Sequence, residues 1–88
     1  MFAIAYIMSM SAIDPRLKNH VKQHRARVDL TQQEVAERVG VRRQTILAIE
    51  KGHYVPSALL AFLIARELGM KVDALFELTE EKVREEEV

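Results

Sequence analysis

The 88-residue chain has no cysteine, only three glycines and two prolines, and no net charge. Without cysteine there is no disulfide scaffold and no thiolate metal site or nucleophile. So little glycine and proline leaves scant room for long irregular loops. A hydrophobic run long enough to cross a bilayer is also missing. The most apolar stretch, MFAIAYIMSM from Met1 to Met10, is too short to span and lacks the basic segment that opens a secretory signal. There is no glycine-rich phosphate loop and no pair of carboxylates that reads as an acid and a base, so the chain does not read as an enzyme. What is present is apolar enough, at 49%, to argue against disorder. The length suits one small domain that buries about 60–65% of its unfolded surface.

The neutral total conceals an uneven distribution. Between Pro15 and Pro56 nine basic residues stand against four acidic ones, whereas from Ser57 to Val88 four stand against eight. A basic body followed by an acidic tail suits a polyanion-binding face on one side only.

Hydrophobic spacing divides the basic part into short helices. In Met1–Met10 Phe2, Ile4, Tyr6 and Met8 are large, with the small Ala3 and Ala5 between the first of them, as in a short strand. Two readings stay open for it: a strand that pairs with its counterpart in a second copy, or an upstream start-codon artefact. Asp14-Pro15 is expected to open a first helix with Leu17, Val21, His24 and Val28 along one seam. Thr31-Gln-Gln-Glu34 has the form of a capping box, starting a second helix that Gly40 ends, with Val35, Ala36 and Val39 inward and Val41 plugging the turn. A third helix is expected from Arg42 or Arg43 to Glu50 with Ile46 and Ile49 inward. Ser57 caps a fourth, apolar over a wide arc and able to offer a dimer surface, and Gly69 ends it. Val72, Ala74, Leu75 and Phe76 form a short fifth helix.

The second and third helices carry the function. Two short helices joined by a few residues around a glycine are a helix-turn-helix. Ala36 is small where the helices cross, and Gly40 allows the chain to reverse with positive φ. The third helix is then left with an outward face made of Arg43, Gln44, Leu47 and Ala48. Arginine can donate twice to guanine, glutamine can pair with adenine, and an exposed leucine can meet a thymine methyl. Gln32 and the first amides of the second helix can hold a phosphate.

These segments, TQQEVAERVGVRRQTILAIEKG (Thr31–Gly52) and PSALLAFLIARELGMKVDALF (Pro56–Phe76), resemble the Cro/C1-type (Xre-like) helix-turn-helix family. The resemblance implies an all-α, five-helix, lambda-repressor-like fold over 14–78, flanked by an extension at 1–13 and an acidic tail at 79–88. It implies a homodimer that binds double-stranded DNA as a small transcriptional regulator, often a repressor, in the cytoplasm, with no catalysis, cofactor, metal or evident small-molecule effector. By position, Arg43, Gln44, Leu47 and Ala48 match base-facing residues. Gln32, Arg42, Lys51 and Tyr54 fall where phosphate contacts are expected; the resemblance also implies that Gln32 can buttress the third helix, and packing of Tyr54 against Pro56 is an equal alternative. Arg25 and Glu50 resemble an ion pair between the first and third helices. A protein-interaction module of the same fold, or an antitoxin, are the alternative readings.

The sequence departs from the family pattern at three places. Arg42 stands where Ser or Thr usually caps the third helix, a loss of about 0.5–2 kcal/mol. Asp29 stands where glycine is common, and Lys71 where a cap precedes the fifth helix. His20, His24 and His53 have no third ligand at a metal-binding spacing.

Overall fold

The helices of this chain begin and end where a residue offers or withholds a backbone partner. The computed structural model describes residues 14–79. The expected strand in Met1–Met10 and nearly all of the acidic tail lie outside the described residues. Strand β1 (Leu17–Asn19) comes first. Helices α1 (Val21–Arg27), α2 (Gln32–Val39), α3 (Arg43–Glu50), α4 (Ala58–Glu67) and α5 (Val72–Leu75) follow, and β2 (Phe76–Leu78) closes the order. This is the expected five-helix architecture, with α2 and α3 as the helix-turn-helix. The strands pair antiparallel, Leu17 opposite Leu78 and Asn19 opposite Phe76.

That strand pair corrects two expectations. Asp14-Pro15 does not start a helix. The Asp14 carboxylate accepts from the Arg16 N–H at 3.0 Å and from its guanidinium at 2.8 Å, and the Leu17 N–H donates to the Asp14 carbonyl at 3.1 Å. Pro15 therefore sits second in a turn, where its fixed φ is suited. The side-chain and backbone hydrogen bonds from Arg16 hold the Asp14 carboxyl down at about 2. The chain then runs extended, and α1 begins only at Val21. Of the expected seam, Val21 alone is fully buried; Leu17 lies in β1, and Val28 is past the end of α1 and 36% exposed. At the other end α5 stops at Leu75, because Phe76 takes β geometry (φ −122°, ψ 140°) to pair with Asn19.

Elsewhere local chemistry fixes the boundaries. The Thr31 hydroxyl accepts from the Glu34 N–H at 3.0 Å, and the Thr31 N–H donates to the Glu34 carboxylate at 2.8 Å, which completes the capping box. Gly40 adopts φ 79° and ends α2. Asp29, at φ 60°, is the only non-glycine residue in that region among the described residues, so it takes the left-handed turn usually left to glycine. Ser57 caps α4 through the Leu60 N–H. Neither Arg42 nor Lys71 makes a side-chain cap.

The core gathers Val35 and Ala36 of α2, Ile46 and Ile49 of α3, Leu60, Ile64 and Ala65 of α4, and Val21, Leu68 and Leu75 around them. Each large aliphatic side chain buried here contributes about 1.5–3 kcal/mol. Helix α2 packs on both α3 and α4, and Arg38 reaches Glu67 of α4 at 3.8 Å. Inserted between them, α2 holds α3 at the periphery, with one flank to solvent.

Thr31→Ala is expected to cost about 1 kcal/mol in urea unfolding. Backbone and side-chain hydrogen bonds with Thr31 hold the Glu34 carboxyl below its ordinary value of 4.5. Its contribution is therefore whole at neutral pH and fades as pH falls below 4.5. Urea midpoints of wild type and Glu34→Gln measured down the acid range should converge; a constant gap would contradict the linkage.

Candidate nucleic-acid interface

Helix α3 is eight residues long and packs on α2 and on α1. Its Ile46 and Ile49 are 0% and 1% exposed. At about 100° per residue the opposite arc carries Arg43, Leu47, Gln44 and Ala48. Arg43 and Gln44 are exposed, and Arg42 and Lys51 are exposed at its two ends. Leu47 and Ala48 are half-buried. Leu47 was expected to stand clear of the surface, and this is a correction. The helix is short and lies close against its neighbours, so even its outward aliphatic side chain is partly covered.

The C-terminal end of α3 is fastened by Glu50. Arg25 of α1 donates through Nε to Glu50 Oε2 at 2.7 Å and through Nη2 to Oε1 at 3.2 Å, and its Nη1 reaches the Leu30 carbonyl at 2.9 Å. Gln32, in the first turn of α2, donates to Glu50 Oε1 at 3.0 Å. The two charged side chains are only 15% and 4% exposed. The bidentate geometry and the added amide bond offset the desolvation that burial of both charges costs. Gln32 thus braces α3 from within the protein, and its amide keeps a second N–H for another acceptor.

Beside this knot a groove of about 630 Å³ is lined by Arg25, Leu30, Thr31, Gln32, Gln33 and Arg43, among others, with Asp29 its one acidic residue. The first turn of α2 opens into it. A smaller hollow of about 270 Å³ lies on the α3 flank between Gln44, Thr45, Ala48 and Tyr54. Tyr54 is half-buried and packs against the core cluster.

One residue at this site escaped the sequence reading. Asn19, the last residue of β1, donates from Nδ2 to the Ile49 carbonyl at 2.8 Å and accepts at Oδ1 from the Val21 N–H at 3.1 Å. An asparagine two positions before an apolar helix start was the available signal, but Asp14-Pro15 offered a stronger one earlier in the chain. His20 Nε2 lies 2.8 Å from Glu77 Oε1, and His24 Nδ1 accepts from Arg27. Among the described residues no three His, Cys, Asp or Glu side chains are placed to hold a metal ion, and no helix is long and apolar enough to cross a membrane.

Removing one partner of the pair leaves the other buried without a counter-charge. Glu50→Ala or Arg25→Ala should each destabilise the protein by about 3 kcal/mol, while an apolar double replacement such as Arg25→Met with Glu50→Leu should recover most of the loss. Urea unfolding of the three variants checks both statements.

A family model described as helix-turn-helix matches residues 21–75. Curated relatives match over nearly their whole length. One is 52% identical over 65 residues, covering 74% of this chain and 98% of the relative: an uncharacterized HTH-type transcriptional regulator, YgzD, of Bacillus subtilis. Another, from Methanothermobacter thermautotrophicus, is 50% identical over 66 residues, 74% of this chain and 96% of its own. A third, MJ0272 of Methanocaldococcus jannaschii, is 52% identical over 60 residues, 68% of this chain and 91% of its own. Both carry the same description. With a matched segment that runs from the first residue of α1 to the last of α5, and relatives of this identity, the chain belongs to the helix-turn-helix family of transcriptional regulators.

Proposed function

We propose that the protein binds double-stranded DNA sequence-specifically as a homodimer and represses transcription from the sites it occupies. The observation that carries this reading is the position of Arg43 and Gln44. They are exposed side by side at the start of a helix whose other flank is locked into the core, next to a groove that the α2 N-terminus opens into. In the major groove Arg43 donates to guanine O6 and N7 and Gln44 pairs with adenine, while Leu47 and Ala48 offer apolar contact to thymine methyls. Arg42, Lys51, the remaining Gln32 amide proton and the loop around Tyr54 meet phosphates, which set register and supply much of the affinity. The Arg25–Glu50 pair fixes the angle of α3. Residues 14–78 form the DNA-binding domain, and repression needs only that the site be filled. No catalysis, cofactor or effector enters the mechanism.

The dimer reading rests on α4. Leu59 and Phe62 are 69% and 61% exposed, and Phe62 borders an apolar hollow of about 500 Å³. Arg66, Lys71 and Asp73 rim that hollow, so a twofold copy can set acidic against basic side chains around a shared apolar centre. Two α3 helices would then read half-sites about 34 Å apart.

Selection from a random duplex pool should return a near-palindromic site. On that site the double variant Arg43→Ala/Gln44→Ala should lose about a hundredfold in affinity, and an unchanged titration would falsify the base-reading role. Lys51→Ala should weaken all duplexes alike and reduce the salt slope by about one. Phe62→Glu should move the sedimentation profile toward monomer; a profile equal to wild type removes α4 as the dimer face.

A further inference from the structure

We infer that Asn19 is a positioning residue for base reading, one that sets the tilt of α3 from the end opposite Arg43. The inference rests on the DNA-binding reading above and names a further residue of that same site. The side-chain hydrogen bonds of Asn19 go to the Ile49 carbonyl and the Val21 N–H rather than to a residue of the outward face. Asn19 acts through the Ile49 carbonyl, in the last turn of α3, to which its Nδ2 donates at 2.8 Å. The same amide accepts from the Val21 N–H at the start of α1. One planar group therefore joins the entry of α1 to the exit of α3, thirty positions away. The surroundings make this a fixed point. Asn19 pairs with Phe76 in the sheet, the His20 N–H donates to the Leu75 carbonyl at 2.9 Å, and Val21, Ile49 and Leu75 are buried to 1% exposure or less.

The residue type is specific to the task. The bridge needs one donor and one acceptor on a short rigid group. Aspartate offers acceptors only, serine is shorter, and glutamine is longer by a methylene. The Ile49 carbonyl already accepts from the Gly52 N–H at 3.0 Å, and Asn19 takes its second lone pair.

The geometry makes the bridge matter for recognition. Helix α3 has no side-chain cap at Arg42, and the side-chain hydrogen bonds that tie it to other elements lie at its far end, from Asn19 and in the Glu50 knot. From Ile49 to Arg43 is about 9 Å along the axis at 1.5 Å per residue. A tilt of about 10° at Ile49 moves the Arg43 end by about 1.5 Å, enough to break a bidentate contact with a base edge. Phosphate contacts from flexible arginines and lysines tolerate the same shift. Loss of the bridge should therefore degrade specific binding and spare non-specific binding.

The test uses the full chain and the duplex that wild type selects from a random pool. Asn19→Asp keeps the acceptor for Val21 and places an oxygen against the Ile49 carbonyl, and Asn19→Ala removes both bonds. Each should lose about tenfold on the selected site, with affinity and salt slope on an unrelated duplex unchanged. Ser57→Ala, which removes a cap on α4, serves as a destabilised control and should keep the wild-type specificity ratio below its unfolding midpoint. Asn19→Asp has a further signature. As pH falls toward mild acid its carboxyl takes a proton, becomes a donor to Ile49 again, and should regain part of the lost affinity relative to wild type at the same pH. If Asn19→Ala unfolds, this acid rescue of Asn19→Asp still decides. Specific and non-specific binding lost in parallel, or a selected site bound as tightly as by wild type, overturns the assignment of Asn19 alone. A wild-type chain that selects no sequence overturns the DNA-binding reading and this inference with it.

Discussion

The Glu50 carboxylate is the constraint on which the rest of the molecule's geometry depends. It accepts from Arg25 on α1 and from Gln32 on α2, and so ties α3 to both helices that precede it. Hydrophobic packing of Ile46 and Ile49 holds α3 on the core, but packing is non-directional and does not by itself select one orientation. Directional bonds to an ion at the helix end remove the freedom. The Arg25 guanidinium is further fixed by the Leu30 carbonyl, so the knot also sets the turn between α1 and α2. A buried ion pair of this kind is costly to form from water; what it contributes here is orientation.

Much of the architecture was legible in the sequence because it is written in local chemistry. The capping box at Thr31–Glu34, the reversal at Gly40 and the Ser57 cap involve partners three or four residues apart, and each appears where the residue types demanded it. Asp29 takes the strained left-handed conformation because the turn between α1 and α2 requires one, whatever residue occupies it. The face of α3 followed from the inward pair Ile46 and Ile49. What stayed hidden depends on distant partners. The strands are three residues each, too short for a period-2 signal, and they exist only because each meets the other. The Asn19 bridge spans thirty positions. The partial covering of Leu47 and Tyr54 is a tertiary effect that no spacing along the chain reports.

The stability devices are distributed unequally between the two flanks of α2. On the α4 side stand the Ser57 cap and the buried Leu60, Ile64 and Ala65. On the α3 side the helix start is uncapped, Arg43 and Gln44 are exposed while Leu47 and Ala48 are half-buried, and the fastening lies at the C-terminal end. Rigidity is thus concentrated behind the surface that carries Arg43 and Gln44, whose own side chains keep the freedom to adapt.

The strand pair joins positions roughly sixty residues apart, while the helices between them form from near neighbours. Closing so long a loop before the helices dock would sacrifice chain entropy for a few hydrogen bonds. Once α1 and α5 have docked, the two strands are already adjacent and the remaining entropic cost is small. On that entropic ground the sheet is expected to act as a clasp that closes after the helices have docked. Its two ends differ: the Leu17–Leu78 end carries an exposed leucine and is the end free to fray, whereas the Asn19–Phe76 end is anchored beside the buried Val21 and Leu75.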